Sequence, residues 1–153
     1  MLQEQSVTAC ADPAKHVAGA TRLAAEAKAV GASVLVYGTW PRRAGDAIYE
    51  EACTGGSQAA FEQCLGAGFA SATAASGAQL VDAGAVWLRA IAIKPEIQLY
   101  VSDGSHPTAL GTYLAACVFA RALTGERAAH LAWHPPSIRD ADARWLASIA
   151  DGS

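Results

Sequence analysis

Tyr100-Val-Ser-Asp103-Gly-Ser-His106-Pro-Thr-Ala-Leu-Gly111-Thr-Tyr113-Leu-Ala-Ala-Cys117 is the stretch that decides how this chain is read. Just ahead of it, Ile97 to Val101 is an apolar run with the length of a short buried strand or extended segment. Behind it a helix is predicted to start at Pro107, a residue suited to a first helical turn. Between them lies a polar turn on which Asp103 and His106 stand three residues apart, so that both side chains can enter the same space above the end of a sheet. An acid beside a histidine orients the ring and leaves its second nitrogen free to take a proton from a hydroxyl. Two plainer roles compete for the same residues, an Asx turn made by Asp103 and a helix cap made by His106.

The sequence on either side of this turn sets the fold class. Upstream, Ala85 to Ile93 reads as a short helix stopped by Pro95. Gln79-Leu-Val81 reads as a buried strand ending at Asp82, a residue placed either to face a cleft or to form an Asx turn. Gln58 to Ala75 is a small-residue helix with core positions Phe61, Leu65 and Phe69, ended by Gly77. Ala44 to Gly56 is a polar connection. Ser33 to Tyr37 is apolar and β-branched without polar alternation, as expected of a strand covered on both faces. Before it, Asp12-Pro13 supplies a cap and a first-turn proline for a helix with the stripe Ala20, Leu23, Ala27 and Val30, closed by Gly31. Leu2 to Ser6 is too short to form an element alone, and a turn runs on through Cys10. Downstream, the helix from Pro107 to Leu123 carries Leu110, Leu114, Cys117, Val118 and Leu123, and Arg139 to Ile149 is a last short helix. Helices leading into buried strands predict an α/β layout.

Open α/β sheets bind ligands at the carboxyl ends of their strands. Gly38-Thr-Trp40-Pro-Arg42-Arg43 follows the first buried strand at that edge. Trp40 is placed either to line a substrate cleft or to pack a loop, and Arg42 and Arg43 either to bind an anion or to stay solvated. His130 and His134 have the four-residue spacing of a metal pair on a helix, but Pro135-Pro136 interrupts any helix and no third ligand follows, so no metal and no cofactor is expected.

At 153 residues the chain has room for one domain. Charged residues make up 16% with a net charge of −3, which leaves no basic stripe for nucleic acid. The apolar fraction of 52% is broken everywhere by charge, Gly or Pro before a membrane span is reached. Of the four cysteines, Cys117 reads as a small core residue, and Cys53 and Cys64 bracket a connection across which a local disulfide would form in an exported protein. Sequence leaves that pairing open, as it does the oligomeric state.

Asp103-Gly-Ser-His106-Pro, followed by Gly111-Thr-Tyr-Leu-Ala-Ala, resembles the last conserved block of the SGNH hydrolase superfamily, the GDSL-type esterases and lipases. Leu2-Gln3-Glu-Gln5-Ser6 is similar to the segment at the end of that family's third strand, and Val34 to Trp40 resembles the following strand and its aromatic exit. The resemblance runs in order along nearly the whole chain. It implies a three-layer α/β/α, flavodoxin-like sheet, with Asp103 as orienting acid and His106 as general base of a Ser-His-Asp triad. Gln5, or equally Gln3, falls where the family has an amide in the oxyanion hole. Implied substrates are acyl or acetyl esters, including carbohydrate esters.

No Ser here has the context of the family's nucleophile, since Ser6 belongs to the third block and Ser102 and Ser105 to the last. The expectation is therefore that the chain is the C-terminal part of the domain, incomplete at the N-terminus, and that the reading frame upstream of Met1 encodes a Ser-bearing turn. A signal peptide there would make the protein periplasmic or secreted. The alternative is an inactive remnant or a binding module of the same fold.

Overall fold

A computed structural model describes residues 1–5 and 7–152; the role drawn for Ser6 lies outside the described residues. In chain order the elements are α1 (Thr8–Ala11), α2 (Pro13–Ala29), β1 (Leu35–Gly38), α3 (Gln58–Ser76), β2 (Gln79–Asp82), α4 (Ala83–Ile93), α5 (Ala109–Thr124) and α6 (Asp140–Asp151). The chain divides into two compact units, Met1–Asp82 and Ala83–Ser153. No helix among the described residues is long and apolar enough to cross a membrane.

In the first unit β1 and β2 pair in parallel, with Val36 opposite Leu80 and Tyr37 opposite Val81. The β2 side of β1 is used through Val34, whose carbonyl accepts from Gln79 N at 3.0 Å. The other side takes Leu2, which donates to Leu35 O at 2.7 Å and accepts from Tyr37 N at 2.9 Å in a parallel bridge to Val36. The strand predicted at Ser33 to Tyr37 is thus the middle line of this sheet, and the Leu2 segment extends it. The predicted turn through Cys10 contains the single helical turn α1.

α3 forms because Ser57 caps it, accepting from Ala60 N at 3.1 Å, and Gly77 closes it with a left-handed φ of 62°. Phe61, Leu65 and Phe69 come onto one face and pack with Ala9 and Val36 as the core of this unit. α2 is capped by Asp12, which accepts from Lys15 N at 3.0 Å. Its buried face differs from the predicted stripe: His16 and Ala24 are buried, whereas Leu23 is 40% and Val30 82% exposed. α2 packs on α3, and the small side chains on the face that begins at His16 allow that approach where the larger leucine and valine would not.

The disulfide expectation is corrected as well. Cys64 pairs with Cys10, not with Cys53, because α1 brings Cys10 against α3 at a Cα separation of 5.6 Å. Cys53 is free, and Cys117 is a buried core residue as expected.

The second unit buries Trp87, Leu99, Leu114, Leu146 and Ile149. α5 starts at Ala109, two residues after the predicted proline, since Thr108 is its cap and Pro107 instead bridges to Tyr100. Its buried side holds Gly111, Tyr113, Leu114, Ala115 and Cys117, while Leu123, predicted to be core, is 68% exposed in the last turn. The far end of α6 is held from outside: Arg89 donates to Ile149 O, Arg121 donates to Ala150 O, and Asp151 accepts from the backbone of Ala128 and Ala129. Cations at a helix C-terminus satisfy its last carbonyls and oppose its dipole.

Candidate functional site

The turn between the buried segment Ile97–Tyr100 and α5 is fixed at both ends by backbone bonds. Thr108 N donates to Leu99 O at 2.8 Å, and Val101 N donates to His106 O at 2.9 Å, so residues 101 to 106 form a closed loop. The Thr108 hydroxyl donates to Gln98 O at 2.7 Å and accepts from Gly111 N at 3.3 Å, joining the segment to the first turn of α5. Gly111 allows this closeness: a Cβ there would stand 2.3 Å from the Trp87 ring and 2.5 Å from Leu99 O. Gly104, with φ of 69°, carries the reversal inside the loop.

Within the loop both roles weighed for Asp103 are present at once. One carboxylate oxygen accepts from Ser105 N at 2.8 Å and His106 N at 2.9 Å, an Asx arrangement. The other lies 2.6 Å from His106 Nδ1. The imidazole bond first, and the two backbone donors next, hold the Asp103 carboxyl well below the usual carboxylate range. His106 does not cap the helix; Thr108 does. With Nδ1 on the carboxylate, Nε2 has no hydrogen-bond partner among the described residues, and the His106 side chain is 77% exposed. This is the form of an oriented base open to a hydroxyl on its free side.

The other candidates lie in the first unit. Gln3 and Gln5 are both exposed on the segment leading away from the Leu2 bridge. Gln5 enters α1, its carbonyl accepting from Thr8 N at 3.0 Å, while Gln3 lines a cleft against α2. Trp40 follows β1 and sets its ring edge-on to Tyr37, centroids 6.4 Å apart. The loop after it is pinned at Arg42, whose carbonyl accepts from Tyr49 Oη and Gln58 Nε2. His130 and His134 do not share a helix: His130 ends a short 3-10 turn, and His134 meets Pro135 O and Asp140. Among the described residues no group of three or more His, Cys, Asp or Glu side chains could hold a metal.

Sequence reasoning passed over Thr108, although a threonine just before an apolar helical run is a cap signal. It also passed over His16, whose apolar neighbours on α2 were the available hint.

No protein-family profile and no curated protein matches the chain. Two solved structures do. One is described as "a putative SGNH hydrolase from Slackia heliotrinireducens", with 36% identity, a TM-score of 0.68 and 79% of this chain covered. The other is a DUF4886 family protein from Bacteroides uniformis, with 16% identity, a TM-score of 0.84 and 98% covered. The chain has the α/β fold of SGNH hydrolases. It spans 62% and 59% of the length of those two chains.

Proposed function

We propose that these residues are part of a single SGNH-type ester hydrolase domain and supply the acid and base of its catalytic triad. The observation that carries this reading is the 2.6 Å contact between Asp103 and His106 Nδ1, with Nε2 left open. His106 would take the proton of a serine hydroxyl supplied from outside this chain as that oxygen attacks the ester carbonyl, then return it to the departing alcohol. Asp103 would hold the ring in the tautomer that accepts at Nε2 and stabilise the imidazolium once formed. A Gln3 or Gln5 amide would donate to the oxyanion, and Trp40 would line the substrate cleft. Acyl or acetyl esters, carbohydrate esters among them, are the proposed substrates.

The test is p-nitrophenyl acetate hydrolysis by the longer polypeptide that includes the region encoded upstream of Met1. We expect turnover that falls by about a thousandfold or more in His106→Ala and less in Asp103→Asn. Full activity in folded His106→Ala would remove the reading, whereas no turnover by the folded wild-type polypeptide would leave the inactive remnant or binding module in its place.

A further inference from the structure

Asp103 and His106 hang from opposite sides of their loop. Asp103 belongs to a turn closed by Gly104 N donating to Val101 O at 3.1 Å, and that turn continues the buried segment Ile97–Tyr100. His106 belongs to the stretch that leads into α5, joined to the segment by the bond from Val101 N to His106 O and by the Tyr100–Pro107 bridge. The Asp103 and His106 side chains are 44% and 77% exposed, so water competes for the contact between them. An exposed pair contributes too little to hold itself in place, and the backbone on each side has to bring the two groups together.

On the segment side this frame is rigid. Leu99 and Trp87 are fully buried, and the Tyr100 ring sits edge-on to Trp87 with centroids 5.0 Å apart. On the helix side the residue next to His106 is Pro107, which has no N–H to donate. Thr108 is the first residue past His106 whose side chain bonds to the segment. Its hydroxyl donates to Gln98 O at 2.7 Å, with Leu99 O at 3.3 Å, and accepts from the N–H of Gly111, whose Cα lies against Trp87 and Leu99 O. One hydroxyl therefore ties the rigid segment to the first turn of α5, two residues from the base.

We propose that Thr108 is a positioning residue for His106: its hydroxyl clamps the α5 end of the loop to Gln98 O and so holds the imidazole in register with the Asp103 carboxylate. A helix cap alone needs only an acceptor for the Gly111 N–H, which several residue types supply. Donation to Gln98 O is the additional bond, and a hydroxyl both donates and accepts from a short side chain. The inference rests on the reading of His106 as a general base, yet its effect on the Asp103–His106 contact is measurable without turnover.

The test compares Thr108→Val, which keeps the β-branched shape without the hydroxyl, with Thr108→Ser, which keeps the hydroxyl. In the 153-residue chain the Asp103 carboxyl resonance is followed by NMR through acid pH. The wild-type contact holds this carboxyl below its ordinary value of 3.8. We expect the midpoint to rise by about half a pH unit or more in Thr108→Val and to stay at the wild-type position in Thr108→Ser. In the longer polypeptide used for p-nitrophenyl acetate hydrolysis, Thr108→Val should lower kcat by about tenfold with KM changed by less than about twofold, and Thr108→Ser should restore most of the rate. If Thr108→Val does not fold, Thr108→Gly, which a helix tolerates at its cap, takes its place. A folded Thr108→Val that loses thermal stability yet keeps the wild-type midpoint or the wild-type kcat has lost a cap only, and overturns the proposal. Thr108→Ser as impaired as Thr108→Val overturns it as well. Absence of turnover in the wild-type polypeptide removes the ester-hydrolase reading instead, and the Asp103 midpoints then decide what Thr108 does for the contact.

Discussion

Removing the Cys10–Cys64 cross-link should cost more stability than any single contact in the first unit. The disulfide spans a sequence separation of 54 residues. Closing a loop of that length in the unfolded chain removes about 14 cal/mol/K of entropy, worth about 4 kcal/mol near room temperature. For a chain of 153 residues, each kcal/mol moves Tm by about 3 °C, so reduction should lower it by about 12 °C. The assay is calorimetry of the oxidised protein, of the same protein in excess reductant, and of the Cys10→Ala/Cys64→Ala variant. Reductant tests the cross-link alone, because both thiols remain, that of Cys10 packed against the cluster of Phe61, Leu65 and Phe69; the double variant adds a packing loss. Cys53→Ser serves as control, since Cys53 is free and only partly buried. A fall in Tm below about 3 °C on full reduction would refute the loop-closure argument. So would an equal fall for Cys53→Ser.

Other consequences can be read in the second unit. Gly111→Ala drives a methyl group into the Trp87 ring and Leu99 O and should cost about 3 kcal/mol in urea unfolding, where an ordinary exposed Gly→Ala change in a helix would stabilise. Asp103 should titrate below its ordinary value of 3.8, so the stability it lends is present above that value and is lost as pH falls through the depressed one. In His106→Ala its carboxyl resonance should shift at a higher pH, and an unchanged midpoint would contradict the pairing. Asp151→Ala removes the acceptor of the Ala128 and Ala129 amides and should cost about 1–2 kcal/mol, with Asp151→Asn milder because one carbonyl oxygen remains.

Much of this architecture is legible in the sequence because it depends on local rules. A run of β-branched and apolar residues bounded by Gly31 and Gly38 defines β1, and Ser57 with Gly77 delimits α3. Asp103 and His106 meet because the Asx turn that Asp103 makes with the Ser105 and His106 amides sets its second carboxylate oxygen beside the ring Nδ1. Their contact uses the loop closure made by Val101 and His106, which are themselves near in sequence.

What tertiary structure alone decided lies where two distant segments choose between equal local options. Cys64 had Cys10 and Cys53 as partners of the same chemistry, and the packing of α1 on α3 selected Cys10. α2 offers two neighbouring stripes with similar apolar content; close approach to α3 favoured the one with small residues, turned Leu23 and Val30 outward, and buried a histidine that periodicity had left aside. The start of α5 moved from Pro107 to Ala109 because Thr108 reaches back to the carbonyls of Gln98 and Leu99, whereas first-turn propensity speaks only for the proline. In each case the local free-energy difference between the options is small, and a contact made across tens of residues outweighs it.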